Sequence, residues 1–138
     1  MMAAAVDAAR QGGAARPKLL GVTVLTSLND KDLFALGVAA SAAEQVRRLA
    51  LMAKASGLDG VVCAPGEAAA LRTLAGNDFV LAVPGLRPTG ALPDDQKRTM
   101  TPRAAAKAGA DIVVIGRPIT GAKDPAAAAR AIAAEMAA

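Results

Sequence analysis

Leu19-Leu20-Gly21-Val22-Thr23-Val24-Leu25 is a continuous apolar run rich in β-branched residues, set off by Pro17 before it. A run of that length without polar alternation reads as a strand buried on both faces, and such strands belong to parallel sheets. Three shorter runs repeat the theme downstream: Gly60-Val61-Val62-Cys63-Ala64, Phe79-Val80-Leu81-Ala82-Val83 and Asp111-Ile112-Val113-Val114-Ile115. The segments between them carry helix signals. A capping box is expected at Ser41-Ala42-Ala43-Glu44, opening a helix through about Ala55 that Gly57 closes. On it Val46, Leu49, Ala50 and Ala53 share a face. A short helix is expected over Asn29 to Leu36, and an alanine-rich one from about Gly66 to Leu74. Thr101-Pro102 reads as N-cap and first residue of a helix ending near Gly109, and Asp124-Pro125 opens the last helix, with Ala129, Ile132 and Met136 along one side. Ahead of everything, a helix over about residues 2–11 stops at Gly12-Gly13.

One leading helix followed by four strand–helix units is the order of a parallel α/β fold. It is either half of a (β/α)₈ barrel or a small open sheet, and pattern alone does not choose. The 138 residues fall short of the roughly 250 of a whole barrel. No stretch reads as a linker, so a single domain over 1–138 is expected.

Composition narrows the function. The chain is 54% hydrophobic and 20% charged, enough apolar side chain for a core. Phe34 and Phe79 are its two aromatic residues, too few for the base-stacking platforms of single-strand nucleic-acid binders. The net charge of +4 is spread along the chain, which suits a small phosphorylated ligand better than a polyanion. There is no histidine, which removes Ser-His, Cys-His and His-metal arrangements. A lone Cys63 permits no intrachain disulfide and fits a reducing cytoplasm; with no basic neighbour it reads as a packed core thiol. No apolar run approaches the roughly 18 residues of a membrane span, and the opening Met1 to Val6 reads as helix because Asp7 and Arg10 follow directly.

Functional residues in parallel α/β folds gather past the C-terminal ends of strands. Ile115-Gly116-Arg117-Pro118 follows the fourth strand: glycine lets backbone N–H groups approach an anion, and Arg117 offers a fork matching phosphate oxygens. The plain alternative is a strand-ending turn with a surface arginine. The loop from Pro84 to Arg98 is long enough to be a binding loop, with Gln96 and Arg87 as candidate phosphate contacts and Lys97 and Arg98 as solvated charges. Thr23, Thr26 and Ser27 flank the end of the first strand, placed either for a base or sugar or to cap the next helix.

Five ordered segments then resemble the orotidine 5'-phosphate decarboxylase family: Gly21 to Ser27, Gly57 to Cys63, Val83 to Pro88, Asp95 to Arg98, and Ala110 to Thr120. The resemblance implies a TIM barrel of which this chain holds about the last four β/α units. It implies an enzyme that converts orotidine 5'-phosphate to UMP and CO2 in de novo pyrimidine synthesis, a cytoplasmic homodimer when intact, without metal or organic cofactor. By the same resemblance Gln96, Gly116 and Arg117 bind the substrate phosphate, Arg87 lies in the ligand-covering loop, and Thr26 contacts the nucleotide. The family's Asp-x-Lys-x-x-Asp motif, whose charges destabilise the substrate carboxylate and whose lysine protonates the carbanion, is absent. The nearest string, Asp95-Gln96-Lys97, reaches Met100 where the second Asp is required. No catalytic residue is therefore expected in this chain, and the isolated chain is expected to lack turnover. Met1 to Ala5 resembles an internal stretch of the family, so a missing upstream half is the expectation. The alternatives left open are another phosphate-binding barrel enzyme and a non-catalytic half-barrel that binds phosphorylated ligands.

Overall fold

A computed structural model describes residues 1–88 and 100–137. The elements run α1 (Met2–Arg10), β1 (Leu20–Val22), α2 (Asp30–Ala35), α3 (Ala42–Ala55), β2 (Gly60–Val62), α4 (Ala68–Ala75), β3 (Val80–Val83), α5 (Pro102–Lys107), β4 (Ile112–Val113), α6 (Arg117–Thr120) and α7 (Pro125–Ala137). The four strands form one sheet in the order β1-β2-β3-β4, every neighbouring pair parallel.

The starts of α2, α3, α5 and α7 are fixed by short polar side chains that take up the first free N–H groups. At α2 the Asn29 side chain accepts from Lys31 and Asp32, while the Asp32 carboxylate accepts from the Asn29 N–H at 2.8 Å, a complete capping box. The box expected at Ser41 forms by half. The Ser41 hydroxyl accepts from the Glu44 N–H at 3.2 Å, and the Glu44 carboxylate lies 3.9 Å from Arg48 one turn on. Asp30 links the two helices by accepting from the Ala42 N–H at 2.7 Å. Thr101 caps α5 as expected, and Asp124 accepts from the Ala127 N–H at the start of α7. At the far end of α3, Gly57 turns the chain with φ 84°, a conformation in which a side chain is strained.

The core lies between the helices and one face of the sheet. Val46, Ala50 and Ala53 of α3, Leu71 and Ala75 of α4, and Val61, Cys63, Leu81 and Val83 from the strands are all buried in it. Small alanines on the helix faces let the helices approach the sheet closely. Fully burying a residue such as Leu81 contributes about 1.5–3 kcal/mol.

The expectation that the strands are buried on both faces fails at the outer two. Val22 on β1 is 63% exposed, and Ile112 and Val114 at β4 are 43% and 51% exposed. The physical reason lies in the register, which pairs Val22 with Val62, Val62 with Ala82 and Ala82 with Ile112. These side chains share the face opposite the helices, and none belongs to the core cluster. The plain alternative at Ile115-Gly116-Arg117-Pro118, a strand-ending turn, also differs, because Arg117–Thr120 winds into a single helical turn, α6.

Candidate functional site

Because the strands are parallel, their C-terminal ends lie at one end of the sheet, and the segments that follow them share that end. After β1, Thr23 is committed to the sheet: both its N–H (3.2 Å) and its hydroxyl (2.7 Å) donate to the Val62 carbonyl. Of the hydroxyls flanking this strand, Thr26 stands further out and is half-buried, in a turn closed by the Leu28 N–H donating to Leu25. Asn29, not a hydroxyl, caps the following helix.

After β3, Gly85 takes φ 75° and delivers Leu86 into a fully buried site. Leu86 pairs with Met100 in an isolated parallel bridge, and the Arg87 N–H donates to the Met100 carbonyl at 2.9 Å. The Arg87 guanidinium donates to the Leu86 carbonyl at 2.8 Å, which holds this half-buried side chain against the chain's own backbone. The long loop is thereby pinned at its two stems, Leu86-Arg87 and Met100. Gln96 lies outside the described residues, as do Lys97 and Arg98.

After β4, the Val114 N–H donates to the Val83 carbonyl at 2.9 Å, which carries the pairing with β3 one residue further. Gly116 then caps α6, its carbonyl accepting from Ile119 at 2.8 Å and from Thr120 at 3.0 Å. Its φ is −103°, so no left-handed conformation demands glycine here; a Cβ at Gly116 would meet nothing within 4 Å. Open space above that backbone is what an approaching anion requires. Arg117 begins α6 and is exposed. Arg87 and Gly116-Arg117 thus follow two adjacent strands, β3 and β4, whereas Thr26 follows β1, with β2 between.

Among the described residues near this end, acidic side chains are engaged with backbone N–H groups. Glu67 accepts from the Ala64 N–H at 2.7 Å, and Asp30 and Asp32 hold the caps described above. At the opposite end of the sheet arginines meet carboxylates. Arg16 forks onto Asp59 at 2.6 and 3.0 Å, and the Leu19 N–H donates to the same carboxylate at 2.7 Å. The Arg16 hydrogen bonds, aided by that N–H, hold the Asp59 carboxyl below its ordinary value and raise the Arg16 guanidinium. A surface groove of about 600 Å³ lies elsewhere, between α3 and α4, lined by Val46, Leu71 and Leu74 with Glu44 and Arg47; none of the described candidate residues lines it.

The Leu86–Met100 pin was missed in the sequence. Its one signal there is an apolar Leu86 held between Gly85 and Arg87 at the start of the loop.

The architecture is that of half a β/α barrel: four consecutive parallel strands with helices on one face and the candidate ligand groups past the strand ends. The chain belongs to the orotidine 5'-phosphate decarboxylase / HUMPS family, whose model matches residues 1–132. It is 54% identical over 140 residues to the orotidine 5'-phosphate decarboxylase of Rhodospirillum rubrum, covering 99% of this chain and 57% of that protein. The corresponding protein of Sodalis glossinidius is 54% identical over 136 residues, with 99% and 54% covered. The crystal structure of the orotidine 5'-phosphate decarboxylase from Lactobacillus acidophilus superposes with a TM-score of 0.83 at 42% identity, covering all of this chain and 58% of that one. The chain therefore spans a little over half the length of these relatives. The family expected from the five sequence segments is confirmed, and barrel relatives decide between half-barrel and open sheet.

Proposed function

We propose that this chain is the phosphate-gripping portion of an orotidine 5'-phosphate decarboxylase, the cytoplasmic enzyme that makes UMP and CO2. In this reading Gly116 presents backbone N–H to the substrate phosphate, and Arg117 and Gln96 add charge and an amide donor. Arg87 covers the ligand from the loop, and Thr26 contacts the nucleotide. The observation that carries the reading is the placement of Gly116-Arg117 and Arg87 after adjacent parallel strands, with open space above Gly116. A dianionic phosphate at that end meets arginine forks and backbone donors, the combination that binds phosphate most strongly. The chemistry of carboxylate loss needs a lysine between carboxylates, and the sequence has no Asp-x-Lys-x-x-Asp to supply it. The chain alone therefore binds the handle of the substrate and leaves its carboxylate intact. In the intact enzyme, proposed to be a homodimer acting on a free nucleotide and not on nucleic acid or at a membrane, the missing groups come from the rest of the barrel. Among the described residues no helix is long and apolar enough to cross a membrane.

The test is a calorimetric titration of the chain with UMP. Arg117→Ala is expected to weaken binding by about 10- to 100-fold, the worth of a charge-assisted hydrogen bond. UMP affinity unchanged by Arg117→Ala overturns the reading.

A further inference from the structure

The sheet face away from the helices is unfinished. β1 and β4 are the outer strands, each with one edge unpaired among the described residues, and Val22, Ile112 and Val114 stand exposed beside those edges. An apolar row flanked by two open strand edges is a template for further pairing. This chain accounts for 58% of the Lactobacillus acidophilus structure, so the remainder that completes that barrel is somewhat smaller than a second copy of this chain. A closing piece must offer a β4-like edge to β1 and a β1-like edge to β4, all strands parallel. This chain carries both edges itself.

We propose that the open face is the interface between two copies of this chain in solution. A twofold axis along the strands sets β1 of each copy beside β4 of the other and turns the two apolar rows inward. Four strands from each copy make eight, the number at which such a sheet closes with a filled interior. The contact is isologous and leaves no strand edge open to propagate. Charge favours it as well. Lys18 is exposed at the foot of β1, and the side chain of Asp111, at the foot of β4, stays 42% exposed beyond its ion pair with Arg72 of its own copy, so each seam sets a lysine beside a carboxylate.

Sedimentation velocity and light scattering on the 138-residue chain test the proposal. A discrete species of twice the 13.7 kDa chain mass is expected. Val22→Glu is expected to weaken that dimer by about 100-fold or more, because the new carboxylate is buried without a partner, while Leu51→Glu on the outer helix layer leaves it unchanged. A zero-length carbodiimide cross-link in an equal mixture of isotopically heavy and light chain gives a second readout that needs no variant. Lys18–Asp111 peptides joining heavy to light are expected. A monomer, a polydisperse aggregate, a dimer indifferent to Val22→Glu, or cross-links confined to single copies overturns the proposal.

Discussion

The Arg72 guanidinium, projecting from α4, is hydrogen-bonded to Asp111 at the start of β4, and the same carboxylate oxygen accepts from the Leu81 N–H of β3 at 2.8 Å. Arg72 also donates to the carbonyls of Gly76 (2.7 Å), Phe79 (2.8 Å) and Gly109 (2.8 Å). One largely buried side chain thus ties a helix end to the starts of two strands. Arg72→Ala leaves these carbonyls and a carboxylate without their donor, and is expected to destabilise the chain by about 2–4 kcal/mol, read as a lower urea midpoint at unchanged slope. Arg72→Lys, with a point charge in place of the fork, recovers part of that loss.

Asp59 repeats the arrangement at the start of β2, with Arg16 and the Leu19 N–H as donors. Its carboxyl titrates below the ordinary value of about 3.9 in the folded chain. The folded state therefore binds the proton less well than the unfolded state, and the carboxylate's contribution is complete above about pH 4 and lost as pH falls through the lower folded value. The stability difference between the chain and its Asp59→Asn variant is expected to be constant from about pH 7 to 5 and to shrink below pH 4. A gap that widens on acidification contradicts this.

Gly60 begins β2 opposite Val80, and a Cβ built on it would lie 2.1 Å from the Val80 carbonyl oxygen. The obstacle is backbone, which cannot rotate aside. Gly60→Ala is expected to push β2 from β3 and to cost about 3 kcal/mol or more, at the upper end for overpacking. Gly66→Ala, where a Cβ meets nothing within 4 Å, is the matched control, expected to show a small effect in the same thermal melts.

Leu86 is fully buried at the stem of the long loop. Leu86→Ala is expected to cost about 2–5 kcal/mol by denaturant titration, the range for truncating a buried leucine.

The four strands and most helices were legible because apolar runs, Gly, Pro and capping side chains are local signals. Leu19 to Leu25 announced a parallel strand, and Thr101-Pro102 a helix start, and both are present. What covers a strand is not local. Nothing in Val22 or Ile112 distinguishes a side chain under a helix from one on the open face, and that distinction came from the register. Arg72 was unreadable for the same reason, since its acceptors lie between residues 76 and 111 and only the fold gathers them. Gly116-Arg117 could be singled out because a strand's end is a local feature, but α6, a single turn with Pro118 near its start, is too short to show a helical period.

This chain is proposed to grip the phosphate end of the nucleotide without the groups that release CO2. An assay of orotidine 5'-phosphate decarboxylation by the purified 138-residue chain bears on that proposal most directly. The expected result is no UMP formation above the uncatalysed rate at any chain concentration. Cofactor-free turnover by the chain alone would contradict it.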